Sequence, residues 1–191
     1  MDVWRPLDSP VGVLLLTATD GPGDGLSGGA LTGIYFQDHR GGADARVTTD
    51  RLGHRDEAHS VLTAAAGQLA EYFEGTRTEF DLPLAAVGTA FQHRVWDALL
   101  EIPYGRTASY GDIARRLGLG PAASRAVGLA NGANPISIVV PCHRVTAAGR
   151  KPGGFSAYGG LVTKDKLLAL EGAPPLGAPS AAHAPLPYDA A

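Results

Sequence analysis

Cysteine is almost absent from this 191-residue chain: there is one, Cys142. A single thiol closes no internal disulfide, which fits a reducing compartment, and builds no cysteine-rich zinc site. The six histidines, at 39, 54, 59, 93, 143 and 183, show no pairing with carboxylates at helical spacing, so no catalytic metal and no cofactor are expected. Long apolar runs are lacking too. None approaches the roughly 18 residues that span a bilayer, and Val11–Ala18 lacks the basic start and cleavage site of a secretory signal. The expectation is a cytoplasmic protein, nuclear in a eukaryote, with no membrane partner. Positive charge is short overall, the net being −3, which by itself argues against nucleic acid. Its distribution reverses the argument. Residues 1–87 carry 6 Lys+Arg against 13 Asp+Glu, a balance of −7, whereas residues 88–172 carry 10 against 5, a balance of +5. A phosphate-contacting surface is expected in the second half and a solvated acidic face in the first.

What is present is a globular composition, 45% hydrophobic, at a length that allows one compact unit or two small domains. Residues 11–18 read as a strand and Ala30–Gln37 as its partner across a Gly/Asp-rich connection. Residues 38–56 are polar with little periodicity and read as a loop. Val61, Leu62, Ala65, Leu69, Tyr72 and Phe73 recur on one face of a helix over 58–74, with Gly75 placed to stop it. Thr78–Leu84 reads as a further strand. This half shows no chemistry that can be named. After Gly172 a tail with five prolines and no periodicity reads as disordered. The expected division is 1–87, 88–172 and a Pro/Ala-rich tail, 173–191.

From Thr89 the pattern turns to short helices. Thr89 can cap a helix that carries Phe91, Val95, Leu99 and Ile102 inward and ends at Pro103-Tyr104-Gly105. Ser109 can cap Tyr110–Leu117, which stops at Gly118, and Pro121 suits the first turn of a helix running to about Asn131. Two short helices across a glycine-containing turn make a candidate helix-turn-helix. The second is small in side chain, with Ala122, Ala123, Ala126 and Gly128 around Arg125, its one long group. Such a helix either packs closely on a neighbour or brings its backbone close to a nucleic-acid groove.

Asn134 to Arg144 reads Asn-Pro-Ile-Ser-Ile-Val-Val-Pro-Cys-His-Arg. The apolar run is expected to be extended and buried until Pro141 ends it, which puts Cys142 at the mouth of a rigid core segment. A lone cysteine is more often a small buried hydrophobe. Here His143 and Arg144 follow at once, and cationic or hydrogen-bonding neighbours favour the thiolate. Adjacent side chains on an extended chain point opposite ways, so His143 is expected to act on Cys142 through a water. Gly149–Gly160 is glycine-rich but is no phosphate loop, since no strand leads into it and no Gly-Lys-Ser/Thr ends it. It reads as a pocket wall. Leu161–Glu171 reads as a closing helix stopped by Gly172, with Glu171 at the end where the helix dipole disfavours an anion.

Pro-Cys-His-Arg-Val, preceded by Arg125-Ala-Val-Gly-Leu-Ala-Asn-Gly-Ala-Asn-Pro135, resembles the active-site signature of the O6-alkylguanine-DNA alkyltransferases, also called methylated-DNA–protein-cysteine methyltransferases. Family-like segments run from about Thr89 to Gly172, with a weaker similarity before them. The resemblance implies an α+β protein: a small ribonuclease-H-like α/β domain of structural role, then a mainly helical, winged-helix-like domain with a helix-turn-helix. It implies DNA repair by direct reversal, in which a methyl or other alkyl group of O6-alkylguanine passes irreversibly, once per molecule, to Cys142. O4-alkylthymine stands as a further candidate substrate. The thioether product is inert at neutral pH, and the base must first be rotated out of the stack at a cost of a few kcal/mol.

Carried over position by position, the resemblance makes Glu171 the carboxylate that holds His143 in a Cys, water, His, Glu relay. Tyr110 becomes the residue that crowds the backbone phosphate and faces guanine N3, and Asn134 ties the turn before the cysteine segment. The helix with Ala122, Arg125, Ala126 and Gly128 enters the minor groove, Arg125 fills the gap left by the flipped nucleotide, and Ser109 joins the DNA contacts. Asn131, Val145, Ser156 and either Phe155 or Tyr158 line the substrate pocket, with Ser156 donating toward the guanine oxygen. The implied partner is double-stranded DNA containing O6-alkylguanine, bound by a monomer, with cooperative binding compatible.

Two rivals belong to other classes. A lesion-binding protein that flags damage without repairing it carries another residue, often tryptophan, in place of the cysteine. A thiol hydrolase needs a separate base and an oxyanion site, which the sequence does not advertise.

Overall fold

In the first of two compact units, β1 (Asp2–Leu7), β2 (Leu14–Thr19), β3 (Ala30–Phe36) and β4 (His54–Arg55) form a sheet in the order β3-β2-β1-β4. The computed structural model describes residues 2–19, 29–36, 53–153, 155 and 159–177. β2 is apolar on both faces: Leu14, Leu16 and Ala18 are buried on one, while Leu15 packs with Trp4 and Tyr35 on the other. Helix α1 (Ser60–Phe73) buries Val61, Leu62, Ala65, Ala66, Leu69 and Tyr72 and packs on β2 and β3. Burial of each large side chain in that stripe contributes about 1.5–3 kcal/mol.

Several expectations change here. The strand expected over 11–18 begins at Leu14, because Gly12 takes φ 104° in the turn that joins it to β1. β1 itself was not foreseen, its Trp-Arg-Pro core lacking clean alternation. Phe73 is only half-buried. Thr78–Leu84 is not a strand but makes a single parallel bridge, Leu84 to Leu31, since Pro83 has no N–H to extend a ladder. His54–Arg55, expected within a loop, pairs in parallel with β1; residues 38–52 and Gln37 lie outside the described residues. On β3, the Ile34 N–H donates to the Pro135 carbonyl at 2.9 Å, and Ile34 bridges Ile136. Pro135–Ser137 therefore belongs to the first unit although the chain on either side does not.

The second unit, Gly88–Asn134 and the described residues from Ile138 on, is mainly helical. Helix α2 (Ala90–Leu100) begins at a capping box in which the Thr89 hydroxyl accepts from the Gln92 N–H and the Gln92 side chain accepts from the Thr89 N–H. Helix α3 (Tyr110–Arg116) repeats the device with Ser109 and Asp112, and ends at Gly118, φ 72°. Such caps satisfy the orphan donors of a helix start and contribute about 1 kcal/mol each. A 3-10 turn, Pro121–Ala123, leads into α4 (Ser124–Gly132), and Trp96 of α2 donates its indole N–H to Ala130 O at 2.9 Å. Two short parallel strands, β5 (Ala108–Ser109) and β6 (Val145–Thr146), and helix α5 (Gly160–Leu170) complete the unit.

The segment before Cys142 is buried, as expected, but it is not uniformly extended. The Asn134 side chain donates to Val140 O at 2.8 Å and closes the segment into a loop. Closure puts Ile138 at φ 73°, the only non-glycine among the described residues with positive φ. For a β-branched residue that conformation costs about 1–3 kcal/mol. Cys142–Arg144 then forms a 3-10 turn and not a strand, so the expected alternation of Cys142 and His143 gives way to a tighter arrangement.

Candidate active site

Behind Cys142 lies a buried ionic cluster built by one turn and one helix end. The 3-10 turn aims His143 and Arg144 at Glu171, which caps α5. His143 Nε2 stands 2.7 Å from Glu171 Oε1, with neither side chain exposed. Arg144 donates twice to the same carboxylate, Nε to Oε2 at 2.8 Å and Nη2 to Oε1 at 3.0 Å, and a third time to Ile102 O at 2.6 Å. The Gly105 N–H adds a fourth bond to Glu171, at 3.1 Å. Four donors explain how an anion is tolerated at a helix C-terminus.

Their effect on ionisation is definite. Burial pushes Glu171 upward, but the bonds from His143 and Arg144 override it and hold the carboxyl at about 2. Burial drives His143 the other way, below its ordinary value, and the nearby Glu171 only partly offsets this. The His143 hydrogen bond is the larger influence holding Glu171 ionised and Arg144 adds a permanent charge beside it, while the resting His143 is a neutral ring. With Nε2–H donated to Glu171, Nδ1 is left as the basic nitrogen; it is buried and has no hydrogen-bond partner among the described residues.

Cys142, 6% exposed and preceding His143 in the same turn, borders a cavity of about 370 Å³. Tyr110 at the head of α3, Arg125 and Gly128 of α4, Asn131 and Phe155 line it with the cysteine. Gly128 faces the Tyr110 ring, and a Cβ there would make only ordinary contact with it, at 3.7 Å. Asn131 is buried and donates to the carbonyl of Cys142 at 3.4 Å. The helix-turn-helix and the thiol therefore share one hollow.

Other sequence-predicted residues lie elsewhere. Val145 is fully buried in β6, paired with Ala108, and does not line the cavity. Asn134 braces the cysteine segment from within. Ser109 caps α3, and Ala122 and Ala126 are exposed beside Arg125 on the turn and helix that follow. Phe155 lies on the cavity, and Ser156 and Tyr158 lie outside the described residues. Sequence reasoning missed Ser124, Leu129 and Gly132 on the wall; Leu129, 71% exposed one turn after Arg125, carried a signal as an apolar residue on an otherwise small-residue face. It also missed Arg144 as the counter-ion of Glu171, and the buried Lys164.

A helix-turn-helix whose second helix walls a cavity floored by the chain's single thiol defines a DNA-binding protein with thiol chemistry. Its partner unit is a small mixed sheet packed on one helix. The chain belongs to the 6-O-methylguanine DNA methyltransferase family: the ribonuclease-like domain of that family matches residues 3–86 and its DNA-binding domain residues 90–173. Membership makes it a DNA-repair methyltransferase. The methylated-DNA–protein-cysteine methyltransferase of Mycolicibacterium paratuberculosis is 45% identical over 168 residues, covering 88% of this chain and 91% of the relative. The crystal structure of the Mycobacterium tuberculosis O6-methylguanine methyltransferase is similar with TM-score 0.72 at 43% identity, over 90% of this chain and 93% of that one. A structure of the same mycobacterial protein in complex with DNA matches equally well, with TM-score 0.72 over 89% and 93%.

Proposed function

We propose that Cys142 is the acceptor of the alkyl group and that its donor is O6-alkylguanine rotated out of double-stranded DNA into the 370 Å³ cavity. The observation that carries this reading is the position of the only thiol, between a cavity walled by the helix-turn-helix and a buried His143–Glu171–Arg144 cluster. Neutral His143 offers Nδ1 as a base, and a bridging water passes it the thiol proton. Glu171 fixes the ring in the tautomer that leaves Nδ1 free and stabilises the imidazolium once it forms. The thiolate sulfur then attacks the alkyl carbon. An S–C bond forms as the C–O6 bond breaks, and the electron pair moves onto guanine, which takes a proton from the Tyr110 hydroxyl; the proton His143 drew from the thiol returns to the tyrosine through solvent and closes the balance. No group reverses the thioether, so each molecule acts once.

Arg125 is exposed on α4 and borders the cavity mouth, where it fills the stack vacated by the base. Tyr110 stands where it can face the base edge and crowd the adjoining phosphate. The small side chains of Ala122, Ala126 and Gly128 let the helix lie close in the minor groove. The protein binds as a monomer. Incubation of the full chain with an oligonucleotide carrying one O6-methylguanine, read by intact mass, tests the reading: one methyl per protein, on Cys142, and none with Cys142→Ser. Methyl on another residue, or catalytic turnover without an adduct, overturns it.

A further inference from the structure

Lys164 is fully buried on α5. Its ammonium donates to two backbone carbonyls, Val145 O at 2.5 Å and Pro152 O at 2.8 Å, and to no carboxylate among the described residues. A buried cation without an acid partner is costly and calls for a reason. The two carbonyls supply the geometric part of it. Val145 directly follows the Cys142–Arg144 turn. Pro152 precedes Gly153, which lies so near the Tyr110 ring that a Cβ there would sit 3.1 Å from it, and Phe155, which lines the cavity. One side chain thus joins the segment that carries the thiol to the segment that walls the cavity.

We infer that Lys164 is a positioning residue for the transfer: it straps the Cys142 turn to the wall segment that carries Pro152, Gly153 and Phe155, and holds a buried positive charge toward the thiolate that Cys142 becomes. Arg144 does not serve that purpose, being engaged with Glu171. Burial pulls Lys164 down to about 8, and the charge on Cys142 opposes the fall, so the two groups sense each other. The remaining neighbours fit the assignment. His143, on the cysteine turn, is pushed further toward its neutral form by Lys164, and Glu171, on the same face of α5, is neutralised by Arg144. Asp165 and Lys166 on α5 and Lys151 on the wall segment are exposed.

The inference rests on Cys142 as acceptor, and its test separates the two. Because the chain has one cysteine, ultraviolet thiolate absorbance against pH reports Cys142 alone, with no alkyl donor present. In Lys164→Met the thiolate midpoint should rise by about one pH unit or more, and single-turnover alkylation by free O6-benzylguanine at pH 7 should slow about tenfold, the deficit closing at higher pH. Lys164→Arg, which keeps the charge, should restore the midpoint. Should the methionine variant melt below the assay temperature, Lys164→Gln, which keeps an amide donor without the charge, decides the same point. An unchanged midpoint in the uncharged variants, or a rate loss equal at every pH, overturns the role of Lys164 while leaving Cys142 in place. An alkyl adduct on Cys142→Ser would instead remove the acceptor reading without touching the midpoint.

Discussion

Replacing Glu171 by glutamine should damage the fold before it damages the chemistry. Each carboxylate oxygen receives two donors: His143 Nε2 and Arg144 Nη2 on Oε1, Arg144 Nε and Gly105 N on Oε2. Whichever way a glutamine amide lies, its NH2 meets one N–H of Arg144 and one other donor, and the buried guanidinium loses its counter-charge. Breaking a buried pair on one side costs about 3–5 kcal/mol, or about 6–20 °C in Tm for a chain of this size. Proton linkage gives a second, independent signature. Glu171 is held at about 2 against an ordinary 4.5, so the unfolded chain takes the proton first. Its stabilisation, about 3 kcal/mol in full, is present above 4.5 and lost as the pH falls toward 2, with about 2 kcal/mol gone by pH 3. The lowered His143 acts in the same direction, because unfolding below its ordinary value of 6.5 also takes up a proton. Urea midpoints of wild type and Glu171→Gln at pH 7, 5 and 3 measure both effects. The gap should be widest at pH 7 and narrow on acidification. A variant within about 0.5 kcal/mol of wild type at pH 7, or a gap that stays constant as the pH falls, would refute the account of the cluster.

Arg125→Ala should lose about tenfold or more in single-turnover repair of a lesion in duplex DNA, the equivalent of ~1.4 kcal/mol of stacking. Its loss on single strands or free O6-benzylguanine should be much smaller; equal losses on duplex and single strand would leave Arg125 an ordinary phosphate contact, with a salt slope shallower by about one. Gly105→Ala should destabilise by about 1–3 kcal/mol, since Gly105 has φ 72° and a Cβ would come within 2.7 Å of Glu171 O. A urea midpoint unchanged from wild type would show that this turn relaxes freely.

The sequence is legible where the physics is local. Thr89 and Ser109 were legible as caps because a capping box is closed within three residues, and the inward stripe of α1 because its side chains repeat at helical spacing. The sheet was less legible, since β4 and the Leu84 bridge depend on partners far along the chain and neither alternates. The left-handed Ile138 has no sequence signature at all: its conformation is imposed by the Asn134–Val140 bond that spans it.

The site shows the same division more sharply. Adjacency suggested that Arg144 would act beside Cys142, and on an extended strand a cation two residues away would lie on the same face. The 3-10 turn redirects Arg144 to Glu171, 27 positions along the chain. The cation left near the thiol then comes from α5, where Lys164 and Glu171 stand seven residues apart with Leu167 and Leu168 between them on one buried face. Two ionisable residues on the inward stripe of a short helix are a pattern that periodicity does reveal, because a stripe of that spacing should be apolar throughout. Burying both is tolerable only when each meets its own complement: Glu171 the guanidinium of Arg144, and Lys164 two carbonyls and the charge that Cys142 acquires. On the proposed mechanism one helix serves both ends of the proton's path, holding the base through Glu171 and the thiolate through Lys164.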